Sequence, residues 1–205
     1  MRVLRCGDHA VLVEVPDLDA VTTLHAALRA ASPRGVQELV PAARTLLVRF
    51  DPAVTSGDAV RDALGRVSPV PVPDRGDADE VEIAVRYDGE DLDDVAAFAG
   101  LSVRDVVARH AAGRYRSAFC GFAPGFAYLT GLDPALRVPR LDEPRTAVPA
   151  GAVAVAAEFT AVYPRSSPGG WRILGRTDAT VWDVDRDPPA LLQPGTWVRF
   201  RPVRT

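Results

Sequence analysis

The 205-residue chain contains no lysine, since all 24 of its basic residues are arginine. Without lysine it has no amine for a Schiff base, no P-loop cation and no side chain that could carry biotin. It also lacks a G-x-S-x-G nucleophile elbow and any cluster of residues with the spacing of metal ligands. The sequence therefore predicts no metal site, no biotin attachment site and no ATPase machinery of its own.

Other features are scarce as well. The net charge of −3 gives no basic patch for nucleic acid or an anionic membrane. No apolar run approaches the roughly 20 residues of a membrane span, and the first eight residues do not resemble a signal peptide. The only two cysteines, Cys6 and Cys120, lie far apart in the chain. We therefore predict a cytoplasmic protein in which both thiols are buried.

Residues 1–70 are predicted to form a small α/β domain. Alternating apolar residues indicate strands at 3–5, 10–15, 36–40 and 45–50. Helical patterns begin near Asp17 and Ser56, which are typical N-cap residues. The order of these elements predicts an α/β sandwich with one layer of helices.

Residues 71–79 are predicted to be a proline-rich linker, because prolines alternate with apolar residues and acidic residues follow. Residues 80–205 then form a second domain. It begins with a strand at 80–87 and two short helices that end at Gly100 and Gly113. Further strands are predicted at 115–120, 153–157, 171–175, 180–184 and 196–201, which is typical of a sandwich or barrel. The predicted fold class is α+β.

One stretch of this second domain, residues 119–129, reads Phe-Cys-Gly-Phe-Ala-Pro-Gly-Phe-Ala-Tyr-Leu. Proline and glycine at this density exclude a helix or a central strand. We predict a strand that ends near Cys120, followed by a rigid turn. That turn is either the wall of a pocket, with Phe122, Pro124 and Phe126 in contact with ligand, or a buried corner of a barrel.

A second stretch, residues 163–177, begins at Tyr163, a further candidate for the pocket wall. Its Ser167, Gly169 and Gly170 could form a turn whose backbone N–H groups bind an anion, because glycine adopts positive φ readily. The alternative is a tight hairpin turn without a ligand. Trp171 either covers a flat ligand or packs in the core.

A third stretch, residues 138–151, contains Arg140 and Arg145, and the stretch 163–177 contains Arg172. Arginine suits carboxylates and phosphates, and neighbouring proline and glycine residues favour Arg145 and Arg172 as catalytic candidates. His110 is a third catalytic candidate, as a proton relay. The alternative for His110 is a histidine near a helix C-terminus that interacts with the last carbonyls.

A further stretch, residues 191–200, reads Leu-Leu-Gln-Pro-Gly-Thr-Trp-Val-Arg-Phe. Taken together, these stretches resemble the family of the B subunit of the bacterial ATP-dependent 5-oxoprolinase. This family is also catalogued as KipI and as allophanate hydrolase subunit 1. The resemblance is strong over residues 80–202. It implies a cyclophilin-like β-barrel for the second domain, like that of the carboxyltransferase part of urea carboxylases.

The resemblance also implies partners. The C subunit of such an enzyme, similar to KipA or allophanate hydrolase subunit 2, would supply a second barrel, and an A subunit would complete the enzyme. ATP would be bound with or by a partner. The function implied is a non-autonomous subunit that helps to open 5-oxoproline to glutamate. The alternatives are a carboxyltransferase-like or allophanate hydrolase-type subunit acting on another small amide, and a KipI-like inhibitor of a histidine kinase.

Two positions depart from the pattern of that family. Phe159 stands where glutamine is usual, and a phenyl ring cannot replace the donors and acceptor of an amide. Ala152 stands where serine is frequent, so that a hydroxyl is missing. Both departures bear on the identity of the ligand more than on the fold.

Overall fold

The structure, a computed structural model, describes residues 1–67 and 80–203. The chain divides into two compact units, Met1–Asp74 and Arg75–Thr205. The predicted linker at 71–79 lies outside the described residues.

The N-terminal unit is a four-stranded antiparallel sheet with two helices. Its elements are β1 (Arg2–Arg5), β2 (Ala10–Glu14), α1 (Leu18–Ala31), β3 (Val36–Pro41), β4 (Thr45–Phe50) and α2 (Gly57–Arg66). The strand order is β1-β2-β4-β3. Asp17 and Ser56 accept backbone hydrogen bonds at the starts of the two helices. The helices pack Leu28 and Leu64 against sheet residues such as Val48, and the predicted sandwich is confirmed.

The C-terminal unit is built around a seven-stranded sheet. Its elements are β5 (Glu80–Val85), α3 (Leu92–Ala99), α4 (Val103–Ala112), β6 (Tyr115–Cys120), β7 (Ala127–Thr130), a 3-10 turn (Pro134–Leu136), β8 (Arg145–Val148), β9 (Ala152–Ala156), β10 (Phe159–Val162), β11 (Ser167–Gly169), β12 (Arg172–Arg176) and β13 (Trp197–Pro202). The strand order is β12-β9-β10-β7-β6-β13-β5, while β8 and β11 form a separate two-stranded sheet.

The seven-stranded sheet curls into a nearly closed barrel. Arg86 and Arg176, just beyond β5 and at the end of β12, exchange two backbone hydrogen bonds of 2.9 Å. These bonds join the two edges of the sheet. The predicted fold class, a small α/β sandwich followed by a β-barrel, is confirmed.

Alternation along the strands explains the barrel core. In β9 the valines Val153 and Val155 belong to the main core, together with Leu129 and Phe200 from other strands. The alanines between them point to the opposite face of the sheet, because side chains alternate along a strand. The helices α3 and α4 add Val95, Val106 and neighbouring apolar residues to this core.

Three predictions about local structure are wrong. Residues 180–184 do not form a strand, and the structure has only an isolated bridge there between Trp182 and Ala190. The strands β7 and β10 were not expected. Cys6 is exposed, and Cys120 is only half-buried, although it packs against the main core. None of the helices in the described ranges 1–67 and 80–203 is long and apolar enough to span a membrane.

Candidate functional site

Seven aromatic side chains form one continuous group, called here the aromatic cluster; six come from two of the motif stretches, and Phe159 lies between those stretches in the sequence. Its members are Phe119, Phe122, Phe126, Tyr128, Phe159, Tyr163 and Trp171. Neighbouring ring centroids lie 4.4–6.4 Å apart, mostly edge to face. Phe126 links Phe122 and Tyr163 to Trp171. The structure thus brings together the residues predicted to line a pocket.

Most of the aromatic cluster is buried, and its exposed edge is the turn that carries Phe122. Trp171 and Tyr163 are almost inaccessible, whereas 59% of Phe122 is exposed. The burial of Trp171 fits the core-packing alternative. Pro124 is exposed beside Phe122, and Phe126 is buried beneath the turn. Phe122 is therefore the ring of the cluster that is most accessible to a ligand or a partner, and Tyr128 is partly exposed as well.

The backbone of this turn is strained at Phe122, whose φ is +69°. A bulky residue in the left-handed region is uncommon and costs about 1 to 3 kcal/mol. Hydrogen bonds from Phe126 N to Ala123 O and from Gly121 N to Phe126 O hold the turn closed. A Cβ on Gly125 would lie 2.6 Å from Cβ of Trp182, so the turn also requires glycine there. The fold therefore maintains an unfavourable conformation that presents Phe122 to solvent.

The predicted anion-binding turn at 167–170 is wrong in its geometry. Ser167–Gly169 forms β11, paired with β8, and neither Gly169 nor Gly170 has a positive φ. The hairpin-turn alternative is also wrong, because these residues form a strand. Gly169 is needed because a Cβ there would collide with the hydroxyl oxygen of Tyr163. A ligand role for Ser167, Gly169 and Gly170 stays a prediction.

Two of the catalytic candidates, Arg145 and Arg172, are held in ion pairs. Arg145 Nε lies 2.9 Å from Glu90 Oε1, and Arg145 Nη2 lies 2.7 Å from Asp91 Oδ1. Burial lowers the pKa of Arg145, but hydrogen bonding to Asp91 and the charges of Asp91 and Glu90 outweigh it and leave the pKa above its ordinary value. Arg172 Nη1 lies 3.1 Å from Asp94 Oδ2. These arginines connect β8 and β12 to the start of α3, and their catalytic role stays a prediction.

Sequence reasoning missed the importance of Asp91. It occupies the N-cap position, but its side chain makes no capping hydrogen bond. Instead, Oδ2 accepts a hydrogen bond of 2.6 Å from the backbone of Ile173, while Oδ1 binds Arg145. Asp91 is 4% exposed. It is a buried carboxylate that holds β8, β12 and α3 together.

His110 lies apart from the aromatic cluster, fully buried in the barrel core. Its Nδ1 is 2.7 Å from the hydroxyl of Tyr87, and its Nε2 is 3.0 Å from Thr160 Oγ1. Thr160 donates its own proton to Ala154 O, so Nε2 carries a proton and Nδ1 accepts from Tyr87. The expectation that the ring contacts the last helix carbonyls is wrong. The ring has no route to solvent, and a proton-relay role stays a prediction.

The burial of His110 predicts a loss of stability in mild acid. Burial lowers its pKa from 6.5 to about 3, so the unfolded chain takes up the proton first. The stabilising contribution is complete above pH 6.5 and is lost as the pH falls towards 3. We expect the free energy of unfolding to fall by up to about 1.4 kcal/mol per pH unit below the ordinary pKa. Urea unfolding of the C-terminal unit between pH 7 and 5 would measure this slope.

The matched comparison is between His110→Gln and His25→Gln. His25 is half-buried in the N-terminal unit, where burial and then the charge of Arg29 lower its pKa. Only His110→Gln is expected to flatten the slope of the C-terminal unit. An unchanged slope in that variant would contradict the assignment.

Carboxylates and histidines do not converge as a metal site in the described part of the chain, where no group of three or more His, Cys, Asp or Glu side chains has a suitable arrangement.

The two residues that depart from the family pattern lie in different surroundings. Phe159 belongs to the aromatic cluster, edge to face with Phe119 and Tyr128. Ala152 is fully buried at the start of β9.

Comparison with protein families gives a match over residues 1–192 to the carboxyltransferase domain, subdomain C and D. The chain belongs to this family. A relative from Escherichia coli O157:H7, named as the B subunit of 5-oxoprolinase, is 47% identical over 127 residues, which cover 60% of this chain and 58% of the relative. A second protein of that name, from Bacillus subtilis strain 168, is 42% identical over 58% of this chain and 51% of its own length. The chain thus matches little more than half the length of these curated relatives.

Solved structures of this carboxyltransferase family share the fold. The crystal structure of TTHA0988 has a TM-score of 0.79 and 39% identity, covering 97% of this chain and 40% of that protein. The urea amidolyase of Kluyveromyces lactis has a TM-score of 0.80 over 98% of this chain and 15% of its own length. At 20% identity, that second likeness concerns the fold alone. The chain therefore corresponds to one part of these longer proteins.

Proposed function

We propose that this chain is the B subunit of an ATP-dependent 5-oxoprolinase-type amidohydrolase, active only with its partners. The exposed, strained Phe122 at the edge of the aromatic cluster carries the proposal. A protein that keeps an apolar side chain exposed by a costly backbone conformation gains from it when another surface covers that side chain. The 5-oxoprolinase names of the relatives supply the substrate class.

In this proposal the active site is composite. A second barrel protein, the C subunit, faces the turn with Phe122 and Pro124, and an A subunit completes the cytoplasmic enzyme. ATP binds with or on a partner. The ring C–N bond of 5-oxoproline breaks, a water oxygen adds to the carbonyl carbon and the nitrogen becomes the amine of glutamate, while ATP is hydrolysed in the same cycle. This chain supplies an apolar wall that orients the ring and excludes water.

Co-expression with the A and C subunits tests the proposal directly. The purified complex is expected to hydrolyse ATP only when 5-oxoproline is present, and the isolated chain is expected to be inactive. A complete complex without 5-oxoproline-dependent ATP hydrolysis would reject the proposal.

Phe122→Ala is expected to lower the kcat/KM of the complex at least tenfold, because the variant removes the exposed apolar contact. Its effect on the free energy of unfolding should stay below about 1 kcal/mol, since the side chain packs little. Val184, 73% exposed in the same unit, is the control, since Phe98 lies against the guanidinium of the catalytic candidate Arg172. Equal effects of Phe122→Ala and Val184→Ala would show that the turn has no special role.

A second candidate function has one observation in its favour. Phe159, 6% exposed, places an apolar ring beside Tyr128 at the position where the family usually has an amide. This favours a carboxyltransferase-like or allophanate hydrolase-type subunit that acts on another small amide. A panel of cyclic and linear amides assayed with the complex separates the two functions, and activity on 5-oxoproline alone would reject the second.

A further inference from the structure

The three arginines of the motif stretches differ in what surrounds them. Arg145 and Arg172 are paired with carboxylates at the start of α3. Arg140 is exposed, and within residues 1–67 and 80–203 its side chain makes no hydrogen bond or ion pair. Of the three, Arg140 is therefore the one whose side-chain donors stay available within these residues.

The backbone on both sides of Arg140 is fixed. The carbonyl of Pro139 accepts a hydrogen bond of 3.1 Å from Arg172 Nε. The amide of Leu141 donates a bond of 2.8 Å to the carbonyl of Gly170. Arg140 thus projects from a short segment anchored to the residues on either side of Trp171, a member of the aromatic cluster.

The pKa values of two tyrosines indicate where the charge of Arg140 lies. Burial raises the pKa of Tyr128 and of Tyr163, and the charge of Arg140 partly offsets this effect in both. The geometry agrees, because the hydroxyl of Tyr163 lies against Gly169, next to the Gly170 carbonyl that Leu141 binds. Tyr163 is also in ring contact with the exposed Phe122, at a centroid distance of 6.4 Å. A cation and an exposed apolar ring thus border the same tyrosine.

We propose that Arg140 binds the carboxylate of the substrate while the methylene groups of the substrate's lactam ring lie against Phe122. This inference rests on the proposed function and specifies how the same site recognises its ligand. A planar guanidinium with free donors forms paired hydrogen bonds with a carboxylate. An edge formed by a phenyl ring and a cation is complementary to a small cyclic amide that carries one carboxylate. Arg140 is a binding residue and takes no part in bond cleavage.

The test compares two ligands with the complex of this chain and its A and C subunits. The first is 5-oxoproline, and the second is 2-pyrrolidinone, the same ring without the carboxylate. Binding is measured by titration calorimetry, and turnover is measured separately. Arg140→Gln is expected to weaken binding of 5-oxoproline roughly 10- to 100-fold and to leave binding of 2-pyrrolidinone unchanged. Arg140→Lys should give an intermediate loss.

Arg137→Gln is the control, because Arg137 is exposed three positions earlier on the same segment. It should bind both ligands like the wild type. Arg140-dependent binding without turnover supports the inference and rejects the proposed function. Turnover with unchanged binding in Arg140→Gln rejects the inference and leaves the proposed function intact. An equal loss for both ligands, or no binding of 5-oxoproline to the wild-type complex, also overturns the inference.

Discussion

Trp171→Ala is expected to destabilise the C-terminal unit by about 3 to 5 kcal/mol. Trp171 is 4% exposed and packs edge to face against Phe126 and Tyr128, at centroid distances of 5.5 and 5.6 Å. Truncation leaves a large cavity among rings that cannot collapse into it, because each is held by further aromatic neighbours. Urea unfolding followed by circular dichroism would show the loss as a lower midpoint.

Two variants make this measurement specific. Trp171→Phe keeps an aromatic ring in place and should cost clearly less. Phe122→Ala removes an exposed ring of the same aromatic cluster and should leave the midpoint nearly unchanged. If Trp171→Ala lowered only activity and kept the wild-type midpoint, Trp171 would cover a ligand and would not be a packing residue.

Asp91→Ala is expected to have a similarly large effect, about 3 to 5 kcal/mol. The variant leaves the backbone amide of Ile173 and one arm of Arg145 without the buried carboxylate that they share. Removing one partner of a buried ion pair is costly because the other charge stays desolvated. The midpoint of urea unfolding at pH 7 would report the loss.

Glu82→Ala provides the comparison. Glu82 pairs with Arg201, and the two side chains are 48% and 66% exposed. An exposed pair contributes at most about 1 kcal/mol. A loss in Glu82→Ala as large as that in Asp91→Ala would mean that burial is not what makes Asp91 important.

The elements that local pattern predicts well are those with clear alternation or clear caps. The strands of the N-terminal unit and α1 and α2 fall where apolar periodicity and the N-cap residues Asp17 and Ser56 place them. The strand β10 was missed because only Ala157 and Glu158 separate it from β9, and Ala157 turns the chain with a φ of +49°. Alanine is not a residue from which a left-handed turn is expected.

The residues of the candidate site were predictable from the sequence, but the pairing between their side chains was not. The stretches rich in glycine, proline and aromatic residues indicated that Phe122, Tyr163 and Trp171 converge, and the three residues lie in one cluster. Which arginine stays available could not be read from local sequence. Arg145 is paired with a carboxylate 54 positions away, and Arg172 with one 78 positions away. Such pairing depends on tertiary structure.

The parallel pairing of β13 with β5 has a consequence for synthesis on the ribosome. Arg199 of β13 binds Glu80 of β5 across 119 positions of sequence. At about 5 to 20 residues per second, roughly 6 to 24 s separate the translation of these two strands. During that interval the nascent chain carries β5 without its only strand partner in the described sheet. The order of translation therefore leaves β5 open to pairing with other chains during that interval.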